Sequence, residues 1–326
     1  MKNGKITAKG LWHVLKSSFT GFNEDKVLKL AGALAYYTVF SMGPLLIVII
    51  FFAGLFLGQE AVQGQIYTQL SGFMGPDTAA QLQEIIKNAA ISDKGTVAAV
   101  IGIITLLIGA TSVFAEVQDS INGIWGLKPK PKKGWLKMLQ NRFLSFSVIV
   151  SLGFILLVSL VVTSVIDGFS QSLQARFPDV TVVLFYILNQ LITLTVITLI
   201  FAVIYKVLPD ARIRFKDVLP GALMAAVLFM LGKFAVSFYI SKAELGSTYG
   251  AAGSLVILLF WTYFSATVLY LGAEFTKSFA LEYGEEIRPN HYAVTTRQVE
   301  VEMGNRPVPR DPDEIPVTGK DRPALE

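Results

Sequence analysis

Apolar residues fill six long stretches of this chain, at about Leu30–Leu57, Val97–Ile121, Leu144–Ile166, Val180–Val207, Val218–Ile240 and Ala251–Phe279, with polar and charged residues gathered between them. Roughly 20 mostly apolar residues of α-helix cross a bilayer core. A helix also satisfies its own backbone hydrogen bonds where no water is available. Each stretch is long enough, so the pattern predicts an all-α polytopic membrane protein with a bundle of six transmembrane helices.

Shorter patterns fill in the organisation. Leu11, Leu15, Phe19 and Phe22 recur at helical spacing, with Trp12 beside them and Lys9 and Lys16 nearby. This predicts an interfacial amphipathic helix; a solvated arm is the alternative. Asn23, Glu24 and Asp25 would then supply an N-cap and an acidic first turn for span one. Between spans one and two, Ile66, Leu70 and Phe73 precede Gly75-Pro76-Asp77, and Leu82, Ile85, Ile86 and Ala89 follow. Two short amphipathic helices around a Gly-Pro turn fit this loop. After Glu282 the chain holds six of its thirteen prolines and no apolar periodicity, as expected of disorder. The expected division is 1–28 as an amphipathic cytoplasmic segment, 29–281 as the membrane domain with 58–96 as its extracytoplasmic helical loop, and 282–326 as a disordered cytoplasmic tail.

Composition agrees. Hydrophobic residues make up 53% and charged residues 16% of the chain, against about 25% charged in soluble domains. The net charge of +4 matters less than where the cations lie. The segment before span one and the loops after spans two and four hold sixteen lysines and arginines, and the opposite loops hold four: Lys87, Lys94, Arg176 and Lys242. Lysine and arginine favour the cytoplasmic side of short loops, so both termini are expected in the cytoplasm. The Lys128–Lys133 run reads as this topology signal with some attraction to anionic lipid; a nucleic-acid patch is the alternative. The basic opening and the long first apolar run argue against a cleavable signal peptide. Cysteine is absent, which excludes disulfides, thiolate metal sites and a cysteine nucleophile.

The spans carry more polarity than a passive anchor requires. In span two, Gly95, Gly102, Gly109, Glu116 and Gly123 recur every seven residues, and Ala98, Thr105, Ser112 and Asp119 follow three positions after the first four. Together they draw a stripe of small and polar residues along one helix face, expected to be an interior face that allows close helix approach. Gly253 and Gly272 are further packing candidates. Packing explains the glycines but explains Glu116 and Asp119 less well. Span one contributes Tyr36, Tyr37 and Ser41, with Pro44 expected to kink it. Span six contributes Glu274, and span five carries Lys233, which faces a cavity or a carboxylate or else snorkels outward. With Asn122, these residues form the candidate cavity or substrate-binding set: Tyr36, Tyr37, Ser41, Pro44, Glu116, Asp119, Asn122, Lys233 and Glu274. The arrangement they suggest is a wet, cytoplasm-facing cavity between spans one, two and six; separate pairing of each carboxylate at the interface is the alternative.

Three motifs resemble one family. Ala33-Leu-Ala-Tyr-Tyr-Thr-Val-Phe-Ser-Met-Gly-Pro44 is similar to the first-span signature of the YihY/BrkB family of bacterial inner-membrane proteins. The end of span two, Asn122-Gly-Ile-Trp125, and the last-span pattern of Tyr249-Gly-Ala-Ala-Gly253, Trp261 and Gly272-Ala-Glu274 resemble it too. The resemblance covers roughly Leu11 to Glu282. It implies six spans in the bacterial inner membrane. It also carries labels of ribonuclease BN and virulence factor, and a proposed role in moving lipid or envelope precursors.

The residues speak against the ribonuclease label. Metal-dependent hydrolysis needs clustered histidine and carboxylate ligands, and the two histidines, His13 and His291, stand alone in flanking segments. No glycine-rich phosphate loop followed by lysine occurs. The expectation is a non-enzyme without cofactor or metal. Its expected partners are membrane lipids and a lipid or anionic substrate but no nucleic acid, with homo-oligomerisation left open. Two classes remain: a transporter or flippase-like protein, and a non-transporting scaffold or envelope-integrity protein.

Overall fold

The computed structural model describes residues 6–41, 80, 112–129, 178–242, 253–285, 287–290 and 293–296. Six helices lie among them: α1 (Ala8–Glu24), α2 (Val27–Ser41), α3 (residues 112–124), α4 (Pro178–Val207), α5 (Phe215–Lys242) and α6 (Gly253–Tyr283). Four short strands accompany them: β1 (Leu127–Pro129), β2 (Ala211–Arg212), β3 (Arg288–Pro289) and β4 (Ala293–Thr295). Among the described residues, three helices are long and apolar enough to cross a membrane, through Ile187–Val207, Phe215–Ile240 and Leu255–Tyr283. The fold class is all-α, and the chain is a polytopic membrane protein. The third expected span, the outer loop and much of spans one and two lie outside the described residues.

α5 packs against both α4 and α6, and α1 packs against α6. The contact of α5 with α6 is built on small residues. Ala222, Ala225 and Ala226 are fully buried on α5, and so is Ala273 on α6. A Cβ added at Gly272 would lie 2.7 Å from Ala225 Cβ and would also collide with the Tyr205 hydroxyl of α4. Gly272 is thus where three helices meet, and only a residue without a side chain fits there. The Tyr205 hydroxyl uses the space to donate to the Leu269 carbonyl at 2.7 Å. Small residues let membrane helices approach closely; here they do so between α5 and α6.

The small-residue stripe on span two behaves differently. In α3 the buried positions are Val117, Gln118, Ser120, Ile121, Asn122 and Ile124. The stripe positions Asp119 and Gly123 are exposed, and Ser112 and Glu116 are half-buried. Among the described residues a Cβ at Gly123 would meet nothing within 4 Å. Among the described residues, Asp119 and Gly123 thus lie on the side of α3 away from Val117, Ile121 and Ile124, not on the interior face expected of the stripe. Buried apolar area on Val117, Ile121 and Ile124 decides which side docks. Gly102 and Gly109 lie outside the described residues.

The N-terminal helix is present, with two unlike faces. Gly10, Val14 and Ser18 are buried, and a Cβ at Gly21 would lie 2.5 Å from Glu274 Oε2. That face docks on α6. Leu11, Trp12 and Phe19 are exposed, as suits a helix whose other side meets lipid. Asn23 and Glu24 end this helix rather than starting the next one. Asp25 is its C-cap, and Lys26 takes a left-handed φ of 52° before α2 begins. The expected N-cap for span one is corrected accordingly: α1 continues because its docked face extends through Gly21.

Four chain segments converge at one end of the helices. β1, following α3, pairs with β4 beyond α6, and β2, between α4 and α5, pairs with β3. Thr7, at the head of α1, exchanges hydrogen bonds with the Tyr283 hydroxyl at the end of α6, at 3.3 and 3.2 Å. The start of the chain, the exit of span two, the link between spans four and five and the exit of span six thus share one side, the parity a six-span path requires. The stretch expected to be disordered after residue 282 is ordered at its beginning, through β3 and β4. Strands of two or three residues leave no periodicity in a sequence. The chain divides after Thr295, and residues to that point form one compact unit.

Candidate functional site

Among the described residues, two clusters of buried polar side chains near this end of the helices bear on function. The first is centred on Asp210, in the turn between α4 and α5. Its carboxylate accepts from Gln118 Nε2 at 2.9 Å and from Asn122 Nδ2 at 3.0 Å. Its backbone N–H donates to Asn122 Oδ1 at 2.8 Å, and its carbonyl accepts from the Asn290 N–H at 2.9 Å. One residue thus ties α3, the α4–α5 turn and the segment after α6. Asp210, Asn122 and Gln118 are all buried. A buried carboxylate is tolerated when its oxygens are bonded, and each oxygen here has a donor.

The second group is centred on Glu274 of α6, which is 1% exposed. Lys277 Nζ lies 3.6 Å from its Oε2 and 3.2 Å from Asp25 Oδ2. Among the described residues Glu274 Oε1 has no hydrogen-bond partner. Gly21 of α1 presses against the same carboxylate. Nearby, Trp125 Nε1 donates to the Ala273 carbonyl at 3.0 Å, so the end of α3 is seated directly on α6 at this level. Gly126, with a positive φ of 67°, turns the chain from there into β1.

The structure brings some of the sequence-derived candidates together and separates others. Asn122 and Glu274 are buried on facing helices. Glu116 is half-buried and accepts from Ser120 at 3.3 Å. Ser41 is buried and donates to the Thr38 carbonyl at 2.9 Å, within its own helix. Tyr36 and Tyr37 are exposed and stack edge-on against each other, 5.8 Å between centroids. Lys233 is half-buried on α5, its ammonium 5.8 Å from the Phe234 ring, a cation–π distance. Pro44 lies outside the described residues. Gly253 and Gly272 are buried.

Asp210, Gln118, Asp25 and Lys277 were not among the sequence candidates. Asp210 sits in the short Pro209-Asp210 turn, where an acidic residue reads as ordinary turn chemistry. Its partners are 88 and 92 residues away. A weak signal existed for Gln118 and Asn122, which lie four apart and so share a helix face.

The comparisons agree with this architecture. A sequence profile described as virulence factor BrkB matches residues 18–296. A UPF0761 membrane protein from Pseudoalteromonas atlantica is 29% identical over 272 residues, covering 82% of this chain and 85% of the relative. One from Pseudoalteromonas translucida is 30% identical over 255 residues, covering 78% and 81%. A longer one from Alcanivorax borkumensis is 28% identical, covering 79% of this chain and 58% of the relative. No solved structure matches.

Proposed function

This chain belongs to the virulence factor BrkB family of membrane proteins, and on that footing we propose that it is a transporter or flippase-like protein for a lipid or envelope-related substrate. The observation that carries the reading is Glu274. An ionisable residue inside a membrane helix is expensive to keep and marks a functional pathway by default. Glu274 is buried in the last span, its Oε1 has no hydrogen-bond partner among the described residues, and the nearest cation is shared with Asp25. Asp210, by contrast, has a donor on each carboxylate oxygen. The proposed location is the bacterial inner membrane, with both termini in the cytoplasm. The reading assigns the chain no catalytic chemistry, cofactor or nucleic-acid partner.

A second reading has its own support. The Asp210 cluster satisfies its polar groups internally and binds distant segments together. That is what a non-transporting scaffold or envelope-integrity protein needs. Reconstitution separates the two. Purified protein in vesicles carrying a fluorescent phospholipid should move the lipid between leaflets, and Glu274→Gln should stay folded and lose that activity. If the wild type moves no labelled lipid or envelope precursor, or if Glu274→Gln moves it as well as the wild type, the scaffold reading takes its place.

A further inference from the structure

A cleft of about 410 Å³ opens beside the α4–α5 turn. Lys206, Arg212, Arg214 and Arg288 line it, together with Asn290 and one carboxylate, Glu285. The residues come from three places in the chain: the end of α4, the turn carrying β2, and the segment after α6. Pairing of β2 with β3 sets Arg212 directly opposite Arg288. Like charges directly opposite on a two-stranded ladder destabilise it, and this ladder is only two residues long. An anion between the two guanidinium groups would turn that repulsion into attraction.

The lining is cationic overall, with four basic residues to one carboxylate. Arg214 is bound to Glu285 at 2.6 Å. Lys206 is held in the wall by a hydrogen bond to the Ile213 carbonyl. Asn290 is fixed by its backbone bond to the Asp210 carbonyl, so the cleft shares a wall with the buried Asp210 cluster. Arginine forks fit phosphate oxygens in a planar, two-pronged geometry. The volume falls toward the small end of the range for small-molecule sites, roughly 300–1,000 Å³. It has room for a phosphate with an organic substituent.

We propose that this cleft is a binding site for a phosphate-bearing anion, with Arg212 and Arg288 gripping the phosphate and Lys206 adding charge at its side. The cleft adjoins the ends of Ile187–Val207 and Phe215–Ile240, so a phospholipid headgroup can reach it from the bilayer surface and free phosphate can reach it from solution. Basic pockets at the ends of membrane helices suit such headgroups. The site stands independently of whether the protein moves lipid.

The test uses the full chain and reads its melting temperature. In detergent, inorganic phosphate is compared with chloride at equal ionic strength. In vesicles, phosphatidylcholine alone is compared with phosphatidylcholine containing phosphatidylglycerol. Wild type and Lys16→Gln, a change on exposed α1 surface, should both be stabilised by the anion. Arg288→Gln should weaken apparent affinity about ten-fold or more, since a hydrogen bond to a charged group is worth about 1.5–3 kcal/mol and 1.4 kcal/mol is ten-fold. Arg212→Gln, the same change on the other strand, should lose anion affinity in the same way. A response to phosphate in detergent identifies free phosphate as sufficient; a response only to phosphatidylglycerol identifies the headgroup. Equal stabilisation of wild type and both arginine variants means an adventitious ion only, and no response in either arm means no site; each overturns the proposal.

Discussion

Asn122 and Asp210, 88 residues apart, are bonded to each other twice. The Asn122 amide donates to the Asp210 carboxylate at 3.0 Å, and its oxygen accepts from the Asp210 backbone N–H at 2.8 Å. Only this orientation of the side-chain amide satisfies both bonds, so Asn122 is specified at both of its ends. Asn122→Asp should therefore put two carboxylates in contact and lower stability by about 3 kcal/mol, within the range for breaking a buried charged pair. The double change Asn122→Asp with Asp210→Asn restores one carboxylate facing one amide. It should recover most of the loss in a thermal melt in detergent. A double variant no more stable than Asn122→Asp alone would show that the pair is not coupled.

Two glycines should respond with opposite signs. Gly272→Ala places a methyl where Ala225 and Tyr205 already sit. Overpacking of this kind costs about 1–3 kcal/mol. Gly123→Ala adds a methyl that meets nothing within 4 Å among the described residues. It should be neutral or stabilising by about 0.5–1 kcal/mol, because alanine loses less conformational freedom than glycine. Equal destabilisation of both would return the span-two stripe to an interior position.

Trp125 and Ala273 close the level at which a cavity between spans two and six is expected. Trp125→Phe keeps an aromatic side chain, smaller by one ring, and removes the N–H bond to Ala273. It should lower stability by at least about 1 kcal/mol, the net worth of one such bond, with the lost indole volume adding to it. Ala273 is fully buried, so cysteine placed there should resist a membrane-impermeant thiol reagent in the resting protein. Labelling that begins when lipid substrate is added would show the helices separating during a transport cycle. Cysteine at Ser112, which is half-buried, serves as the reactive comparison.

Topology can be checked without function. Reporters fused at Gly75 and Pro131 should lie on opposite sides of the membrane, with Pro131 in the cytoplasm. The warrant is the sixteen-to-four distribution of basic residues and the meeting of β1, β2, β3 and β4 at one end. Reporters on the same side would overturn the six-span path.

Much of the helical frame was legible in the chain. The apolar stretches at 180–207, 218–240 and 251–279 became α4, α5 and α6 with shifts of a few residues at each end, because bilayer-length apolar runs have few alternatives. The N-terminal helix was legible from the spacing of Leu11, Leu15, Phe19 and Phe22. Faces were harder to read. A glycine is equally at home on a close contact and on an open surface, so Gly123 and Gly272 carried the same signal and took opposite roles. Asp210 was invisible as a partner of Gln118 and Asn122, since nothing local relates a turn to a helix some ninety positions earlier. The pairing of Arg212 with Arg288 was hidden for the same reason: a two-residue ladder has no period to detect.

The docking of α1 on α6 has a consequence for the order in which the protein comes together. Thr7 and Tyr283 are 276 positions apart. At about 5–20 residues per second of synthesis, the first helix would emerge on the order of tens of seconds before the last one exists. During that interval its seat, with Glu274, Tyr283 and Glu282 awaiting Gly21, Thr7 and His13, has not yet been made. The exposed Leu11, Trp12 and Phe19 let the helix wait on the lipid surface, beside the site it will later occupy. Closure of this end of the helices is then a final event, available only to a chain whose last span has already been threaded.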